Sequence, residues 1–489
     1  MRKKRVGNAL NFNKYELDKN ILRALKLLNY EKPTLVQEKV IKHVLGHEDL
    51  VVKSKTGSGK TAAFGIPICQ KIDIESREGQ VLILVPTREL AIQIKEEIGL
   101  IGRFKKIRCA AVFGRQSIEM QKNELKQRVH VIVATPGRLI DHIKRGNVKL
   151  DNIETLILDE ADEMLELGFA DDVSYILDKI SNRKQTMFFS ATMPDFILNL
   201  AKRYMESPKY IEIEDKIKDS KLDIVQYFYE VENKNRKIVI DRILKEYLPE
   251  FGLIFCNTRS GVESLKKYLK RLGYLCEGLH GGMSQGMRIK IFQKFRRGHY
   301  RLLIATGVAA RGIDFDRITH VINYELPFKH EEYVHRIGRT ARMGNKGCAI
   351  SLVLESEMKF VKEIEEQMDY SIIRRELKKD DIADINSSAE VLKSKPSGRK
   401  DKAENFNKNI VKIRINAGKD KKIRPGDLVG AIASIDNVDV EDIGIIDVQK
   451  TCSYVEILNG KGDYIFSKLE KKEIKGRRIS MKKVRIRNF

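Results

Sequence analysis

The stretch "VVKSKTGSGKT", residues 51–61, decides the class of fold. Its apolar start is typical of a buried strand, a glycine-rich turn follows, and a lysine and a threonine open a helix. Gly57 and Gly59 let backbone N–H groups converge on phosphate oxygens, and the helix N-terminus adds a favourable dipole. Because such a turn also occurs as plain structure, this stretch needs a second, independent observation.

The chemistry of the loop predicts which residues hold a nucleotide. Lys60 would reach the outer phosphates, and the Thr61 hydroxyl would coordinate Mg²⁺. Ser54 stands where the GxxxxGK[ST] pattern normally starts with glycine. The residues expected to contact the nucleotide are Thr56, Gly57, Ser58, Gly59, Lys60 and Thr61.

The second observation is "LILDEADEML", residues 156–165, in which an apolar run ends in clustered carboxylates. Such a cluster resists burial unless a positive charge compensates it. Mg²⁺ with a nucleoside triphosphate supplies that charge: Asp159 would hold the metal through water, and Glu160 would orient or deprotonate the attacking water. The alternative is an acidic helix N-terminus stabilised by the helix dipole. With Lys60 and Thr61 on another strand of the same sheet, we predict an ATP and Mg²⁺ site whose metal ligands are Thr61 and Asp159.

Short apolar runs alternate with helix-like segments in two successive series, as in parallel α/β sheets. The first series is "DLVVKS" (49–54), "QVLILVP" (80–86), "VHVIVATP" (129–136), "TLILDE" (155–160) and "QTMFFSAT" (185–192). The second is "VQYFYEV" (225–231), "FGLIFCNT" (251–258), "YRLLIAT" (300–306), "HVINYE" (320–325) and "GCAISLVL" (347–354). We therefore predict two α/β domains, residues 1–208 and 209–370, with an interdomain linker within 205–222.

The sequence changes character after residue 370. Residues 371–409 are charged and poor in large apolar side chains, which predicts a flexible connector. Residues 410–489 show the order strand, helix, strand, strand, helix, strand, which predicts a ferredoxin-like βαββαβ domain.

Charge and composition narrow the class of partner. The formal net charge is +24, which favours a polyanion, most commonly nucleic acid, although solubilising basicity is an alternative. The six cysteines are scattered without metal-binding spacing, the basic start lacks the apolar segment of a signal peptide, and no run is long enough for a membrane span. We expect a cytoplasmic protein with no membrane partner.

The motifs together resemble the DEAD-box RNA helicases, whose name Asp159–Asp162 spells, over about residues 12–355. The resemblance implies two tandem RecA-like domains that bind ATP between them and act on RNA. "NYEKPTLVQ" (29–37) is similar to the motif in which Gln37 recognises adenine and Phe12 stacks on it. "SAT" (190–192) resembles the motif that couples hydrolysis to strand separation, here through Ser190 and Thr192.

The resemblance also places RNA contacts at the carboxyl ends of predicted strands, where open α/β sheets bind ligands. Their arginines and hydroxyls are residue types that contact phosphates rather than bases. In the first domain these residues are Pro86, Thr87, Arg88, Thr135, Pro136, Gly137 and Arg138. In the second they are Arg259, Gln285, Arg288 and Thr306.

The second domain is also expected to complete the ATP site. "HRIGRTARMG" (335–344) is similar to the motif that supplies two arginine fingers, here Arg339 and Arg342. In "ATGVAARGIDF" (305–315) the resemblance implies nucleotide contacts by Gly312 and Asp314.

This chain departs from the family pattern at a few positions. Asn29, Arg115 and Ala341 stand where glycine is usual, and Gly307 stands where an acid is usual. The effect of these changes depends on the backbone and the side chains around them.

The C-terminal domain resembles an RNA recognition motif that has lost most of its stacking aromatics. Tyr454 remains, and Cys452 and Lys412 occupy positions where the motif usually has aromatic residues. Residues 468–489 contain ten Lys or Arg and only two acidic residues. "INAGKDKKIRPGDLVGAI" and "DIGIIDV" are similar to the tail of the DbpA/YxiN-type bacterial subfamily. The RNA contacts predicted here are Lys412, Tyr454, Arg477 and Arg478.

Membership of that subfamily implies targeting to a hairpin of large-subunit ribosomal RNA and a role in ribosome assembly on pre-ribosomal particles. An ATP-controlled RNA clamp or annealing chaperone without productive unwinding is an alternative, separable by unwinding and annealing assays. A DNA-directed translocase is the second alternative, and the DEAD-box resemblance speaks against a DNA partner.

Overall fold

The computed structural model describes residues 11–54, 57–213, 224–310, 317–341, 346–368, 370–377, 389–396 and 406–484, without the side chains of Gln285, Val308 and Glu331. The chain divides into two compact units. The first contains residues 1–53, 60–213 and 400–489, and the second contains residues 54–59 and 214–399.

A seven-stranded parallel sheet is the centre of the first sheet domain, which is the part of the chain up to residue 213. Its strands are β1 (Leu50–Lys53), β2 (Val81–Leu84), β3 (Cys109–Val112), β4 (Val131–Ala134), β5 (Thr155–Asp159), β6 (Gln185–Ser190) and β7 (Lys209–Glu212). Their spatial order is β3-β4-β2-β5-β6-β1-β7. β2, β4, β5 and β6 are buried along their whole length, as their unbroken apolar sequences require.

Helices cover this sheet and bury its two faces in separate cores. They are α1 (Lys19–Leu27), α2 (Leu35–Leu45), α3 (Lys60–Lys71), α4 (Arg88–Ile101), α5 (Ile118–Leu125), α6 (Pro136–Lys144), α7 (Ala161–Glu166), α8 (Ala170–Asp178) and α9 (Asp195–Tyr204). Because all strands are parallel, the turns that carry the predicted motifs meet at one edge of the sheet.

The second sheet domain, residues 224–396, repeats this architecture. Its strands are β8 (Ile224–Glu230), β9 (Gly252–Cys256), β10 (Cys276–Leu279), β11 (Leu302–Thr306), β12 (His320–Asn323), β13 (Gly347–Val353) and β14 (Ile373–Arg374), in the parallel order β10-β11-β9-β12-β13-β8-β14. Its helices are α10 (Arg236–Tyr247), α11 (Arg259–Arg271), α12 (Gln285–Arg296), α13 (Gly307–Ala310), α14 (His330–Ile337) and α15 (Met358–Met368).

The C-terminal domain, residues 406–484, is the predicted βαββαβ module. Its elements are β15 (Val411–Ile415), α16 (Pro425–Ala433), β16 (Ile443–Val448), β17 (Ser453–Ile457), α17 (Gly462–Leu469) and β18 (Met481–Val484). The strands form an antiparallel sheet in the order β16-β17-β15-β18, and one face of it shares a core with the two helices. The α/β fold with two parallel-sheet domains and a ferredoxin-like domain is therefore confirmed.

Two domain limits differ from the sequence expectation. β7 pairs with β1, so the first sheet continues past residue 208 into the segment expected to be a linker. β14 pairs with β8, so the second sheet continues past residue 370. Within the predicted connector 371–409, Leu392 is fully buried in the core of the second sheet domain and Phe406 is 1% exposed in that of the first. Residues 378–388 and 397–405 lie outside the described residues.

None of the helices in the described ranges has the length and apolar character needed to span a membrane.

Candidate functional site

The glycine-rich turn between β1 and α3 has the backbone that phosphate binding requires. Gly57 and Gly59 have φ of +77° and +92°, in the left-handed region that favours a residue without a Cβ. α3 begins at Lys60, whose side chain is only 6% exposed, and Thr61 follows in the first turn. First-turn N–H groups lack partners within the helix, so the turn suits phosphate oxygens. Thr56 lies outside the described residues.

The acidic end of β5 contains a strained turn. Asp159 is 2% exposed, and its Oδ1 accepts the backbone N–H of Glu160 at 3.1 Å. Glu160 has φ +53° and ψ 52°, a left-handed conformation that is uncommon for a residue with a side chain. Because such conformations cost energy and concentrate at functional sites, Glu160 is a structurally constrained residue at the predicted reaction centre.

Asp162 joins the acidic motif to the SAT motif. Its Oδ2 accepts the N–H of Ala191 at 3.2 Å, and both the N–H and the hydroxyl of Thr192 at 2.8 and 2.9 Å. Its own N–H donates to Oγ of the fully buried Ser190 at 3.2 Å. Ser190 and Thr192 were predicted to couple hydrolysis to strand separation, whereas Asp162 had no predicted role. A carboxylate with several donors opposite is strongly fixed, so Asp162 holds the acidic motif and the SAT motif together.

The donor set after β1 and β5 fits Mg²⁺. These strands are separated only by β6, and their carboxyl ends lie at the same sheet edge. The Thr61 hydroxyl and the Asp159 carboxylate are hard oxygen ligands, and nucleotide-bound Mg²⁺ characteristically combines one or two protein oxygens with phosphates and water. Among the residues that the structure describes, no cluster of three His, Cys, Asp or Glu forms a separate metal cage.

Gln37 and Phe12, the residues predicted to recognise adenine, are both buried. Gln37 is 4% exposed, and its Oε1 accepts the Thr34 N–H at 2.9 Å in a capping box at the start of α2. Phe12 is 2% exposed, with its ring centroid 6.5 Å from that of Tyr15. The capping bond orients Gln37, while adenine recognition by either residue stays a prediction.

The predicted RNA-contact turns of the first sheet domain converge on the loop after β3. Thr87 caps α4, with its hydroxyl accepting the Leu90 N–H at 3.3 Å. The next residue, Arg88, lies over Gly114, where an added Cβ would be 3.3 Å from the guanidinium. Arg138 donates to the carbonyl of Gln116 at 2.9 Å. Two arginines on one loop form a basic site of the kind that contacts a phosphate backbone.

The other predicted residues of this site surround these arginines. Pro86 is buried two residues after the end of β2, Thr135 and Pro136 start α6 and are buried, and Gly137 is exposed beside them. Sequence reasoning missed Gln121, which is 1% exposed and accepts from Arg138 at 3.2 Å while donating to the Phe113 carbonyl at 2.8 Å. A lone glutamine on an amphipathic helix carries no sequence signal for such a role.

Three departures from the family's glycines keep the backbone that glycine would have. Asn29, Arg115 and Ala341 have φ of +58°, +61° and +55°. A left-handed conformation costs a residue with a Cβ about 1–2 kcal/mol, and asparagine tolerates it best. At these three positions the chain therefore adopts a backbone that glycine adopts more easily, at an energetic cost.

The fourth departure, Gly307, is explained by Glu332 on α14. A Cβ built at Gly307 would collide with Glu332 Oε1. The same oxygen accepts from Arg336 at 2.7 Å, and Arg336 is 3% exposed. A carboxylate is therefore present beside position 307, contributed by Glu332 from one helical turn before Arg336.

Arg336 is held by further acceptors from the sheet edge. It donates to the Asn257 side chain and to the Glu325 carbonyl, both at 2.9 Å, and lies 5.0 Å from the Phe255 ring. Burial lowers the pKa of its guanidinium, and Glu332 acts in the opposite direction. The network anchors the end of α14, which leads directly to Arg339.

Three of the remaining predicted residues of the second sheet domain, Arg259, Arg288 and Thr306, lie at the carboxyl edge of its sheet. Arg259 begins α11 and lies 3.5 Å from Cβ positions built at Gly281 and Gly282. Arg288 donates to the Ala309 carbonyl at 3.4 Å, and Thr306 ends β11. Arg339 is 6% exposed. The predictions for Gly312, Asp314, Arg342 and the Gln285 side chain fall outside the described residues.

The C-terminal domain presents its predicted contacts on two surfaces. Tyr454 and Lys412 are half-buried on the sheet, with the ammonium 5.3 Å from the ring centroid. Arg477 and Arg478 are exposed just beyond a tight turn at Lys475 and Gly476, both of which have positive φ. Their RNA contacts stay predictions.

This fold and site define a class. Residues 34–200 match the DEAD/DEAH box helicase family, residues 234–344 the helicase conserved C-terminal domain, and residues 412–483 the DbpA RNA binding domain. The chain belongs to the DEAD-box ATP-dependent RNA helicases, with a DbpA-type RNA-binding domain, and is an RNA-dependent ATPase.

Individual relatives support this assignment. The chain is 45% identical over 474 residues to the ATP-dependent RNA helicase DbpA of Bacillus subtilis (strain 168), covering 96% of this chain and 99% of that protein. It is 44% identical over 355 residues to the ATP-dependent RNA helicase CshA of Listeria monocytogenes, covering 73% of this chain and 68% of that protein.

Solved structures show the same fold. S. cerevisiae Dbp5 bound to RNA and ADP BeF3 has a TM-score of 0.69 and 29% identity, over 78% of this chain and all of that one. Mss116p bound to ssRNA and AMP-PNP has a TM-score of 0.66 and 30% identity, over 79% of this chain and 82% of that one.

The Glu332–Arg336 pair allows a test of whether an acid at position 307 can replace Glu332. Glu332→Ala is expected to lower RNA-stimulated ATP hydrolysis roughly ten-fold, because slight misplacement of a catalytic group is costly and Arg336 anchors the segment leading to Arg339. Adding Gly307→Asp to that variant should restore part of the loss, whereas Gly307→Asp alone should clash with Glu332. Steady-state ATPase assays check this, with the exposed Glu363→Ala as control. Equal activity of Glu332→Ala and the native chain would contradict the role.

Proposed function

We propose that this helicase remodels structured large-subunit ribosomal RNA during ribosome assembly in the cytoplasm, with its C-terminal domain holding a ribosomal RNA hairpin on pre-ribosomal particles. The observation that carries the proposal is a run of exposed cations, close together in sequence, late in the DbpA-type domain; this run is called the basic strip. Its members are Lys468, Lys471, Lys475, Arg477, Arg478, Lys482 and Lys483.

The division of labour follows from what each surface contacts. The arginines of the first sheet domain are placed for phosphates, which carry no base sequence. Selection of one RNA must therefore come from another part of the chain. We propose that the basic strip, within a domain that belongs to a family of RNA-binding domains, recognises the shape of the hairpin's phosphate backbone rather than its base sequence.

The ATP chemistry belongs to residues at the edge of the first sheet. We propose that Mg²⁺ is held by Thr61 and Asp159, where it neutralises phosphate charge. Lys60 and the first turn of α3 orient the phosphates, and Glu160 positions the attacking water and accepts its proton. Arg339, with Arg342, stabilises the charge that develops on the transferring phosphoryl group.

Asp162 is the proposed link between hydrolysis and the RNA. It lies in the same short helix turn as Glu160 and binds Thr192 through two donors. A change of position at Glu160 during hydrolysis is therefore transmitted to the SAT motif through bonds rather than through loose packing.

The targeting role is tested in the full-length chain by replacing Arg477 and Arg478 with alanine. Affinity for a large-subunit ribosomal RNA hairpin fragment should fall about ten-fold at moderate salt, and the salt slope should drop by about two, one for each phosphate contact. Affinity for an unstructured RNA of equal length should fall less, because its phosphates do not have the fixed spacing of a folded hairpin. Filter binding across a salt series measures both.

The matched control removes two exposed cations elsewhere, Lys144 and Arg145 at the end of α6. This control should bind the hairpin like the native chain. If the Arg477/Arg478 variant and the control bound the hairpin equally well, the C-terminal strip would have no targeting role.

A further inference from the structure

We propose that one end of the open face of the C-terminal sheet is a docking surface for the first sheet domain, so that the C-terminal domain is a fixed tether rather than a freely moving module. The open face is the one opposite α16 and α17. The inference does not depend on which RNA the protein acts on.

Strand alternation identifies the residues of this face. In β17, Val455 and Ile457 point into the domain's own core. Tyr454 and Glu456 therefore lie on the open face. Glu456 is nevertheless only 6% exposed, whereas a carboxylate on a free sheet surface would be solvated.

Apolar residues at the same end of the sheet are buried outside their own domain. Ile410 and Leu458 flank the paired ends of β15 and β17. Ile410 is 6% exposed, Leu458 2% and Phe406 1%. All three belong to the core cluster of the first sheet domain, not to that of the C-terminal domain. The Phe406 ring stacks on Phe104, with centroids 5.3 Å apart and planes at 23°.

A buried ion pair lies beside this apolar contact. Arg103 and Glu456 are 3.1 Å apart, and their side chains are 11% and 8% exposed. Breaking such a pair leaves an uncompensated buried charge, so each partner requires the other. Burial also lowers the pKa of Arg108, whereas the negative charges of Asp447 and Glu456 raise it.

The rim of the contact is complementary in charge. The first sheet domain contributes cations: Lys19 lies 3.3 Å from Glu441, Lys106 donates to the Val440 carbonyl at 3.3 Å, and Arg23 donates to Asn459 at 2.6 Å. In these three contacts between described residues, the C-terminal domain contributes the acceptors. Complementary patches of this kind set the register of an interface.

The docked end leaves the rest of the domain available. Tyr454 and Arg414 face each other farther along β17 and β15 and are half-buried, and Arg477 and Arg478 are exposed. RNA held there stays near the domain that binds ATP, which raises its effective concentration at the helicase surface without a new contact.

Native residues provide a direct test. Lys19 and Glu441 are 79% and 81% exposed, so a water-soluble carbodiimide can join them as an amide without a spacer. Peptide mass spectrometry of the full-length chain, without RNA or ATP, should find this Lys19–Glu441 link. A mixture of ¹⁴N- and ¹⁵N-labelled protein distinguishes links within a chain from links between chains. The internal standard is the Lys184–Glu154 link, 2.7 Å within the first sheet domain.

Variants then test the buried contacts. Arg103→Glu, Glu456→Arg and Phe406→Ala should each reduce the Lys19–Glu441 link roughly ten-fold relative to the internal standard, since each removes a buried partner. The Arg103→Glu/Glu456→Arg exchange should restore it. Absence of the link in the native chain, equal yields in all variants, links found only between chains, or an exchange variant no better than its single parents would each overturn the docking.

Discussion

Replacing Arg339 with alanine is expected to lower kcat for RNA-stimulated ATP hydrolysis about 10³-fold or more, since arginine fingers are worth roughly 10³–10⁵ in phosphoryl transfer. Arg339 follows directly on the anchored end of α14, with its N–H donating to the Arg336 carbonyl at 3.1 Å. The fork of a guanidinium matches phosphoryl oxygens, so Arg339→Lys should recover only part of the rate. Single-turnover hydrolysis with saturating RNA isolates this effect.

The control for Arg339 is another arginine of the same domain. Arg271 is exposed at the end of α11, and its replacement by alanine should leave hydrolysis unchanged. Affinity for a fluorescent ATP analogue should fall little in Arg339→Ala, because a finger acts mainly on the transition state. If Arg339→Ala retained more than about a tenth of native kcat, the finger assignment would be wrong.

Glu160→Gln is expected to lower kcat by roughly 10²–10⁴-fold while ATP still binds, because the amide keeps the shape but not the basicity of the carboxylate. The side chain starts from a backbone at φ +53°, and glutamine changes nothing in that turn. RNA binding in the presence of ATP should persist or strengthen, since hydrolysis no longer ends the ATP-bound state that holds RNA. Phosphate release and RNA anisotropy measure the two effects.

Glu166→Gln provides the matched control, because Glu166 ends the same short helix and is exposed. It should hydrolyse ATP like the native chain. An active Glu160→Gln variant would show that another group activates the water, and loss of ATP binding would show that the carboxylate acts in binding instead.

The strands that sequence patterns predicted are those with unbroken apolar runs. β2, β4, β5 and β6 were predictable because burial on both faces demands such runs. β3 was missed because its Cys-Ala-Ala-Val sequence has weak strand propensity, and β10 because Glu277 and Gly278 interrupt it. β7 was taken for part of a linker because it is an edge strand with charged, mostly exposed residues.

The candidate site was predictable where chemistry is local in sequence. Lys60 and Glu160 occur in contiguous motifs whose turn geometry follows from their glycines and acids. The contact between Glu332 and Gly307 was not predictable, because it depends on α14 and the start of α13 meeting in space. The same holds for Asp162, since its partners lie about thirty residues away on another strand.

The connector shows a further limit of composition. Charged, polar sequence predicts a lack of core, yet single apolar residues within it are buried. Leu392 accepts the Leu275 N–H through its carbonyl at 3.3 Å and is fully buried, and Phe406 stacks on Phe104. Isolated anchors of this kind leave average composition unchanged, so no window-based pattern identifies them.

The most direct test of the account is ATP hydrolysis by the full-length native protein, measured in Mg²⁺ with no RNA, with a large-subunit ribosomal RNA hairpin, and with DNA of the same sequence. We expect slow hydrolysis alone and with DNA, and strong stimulation by the RNA. Hydrolysis at one rate under all three conditions would contradict it, because the ATP site would then work without the RNA site.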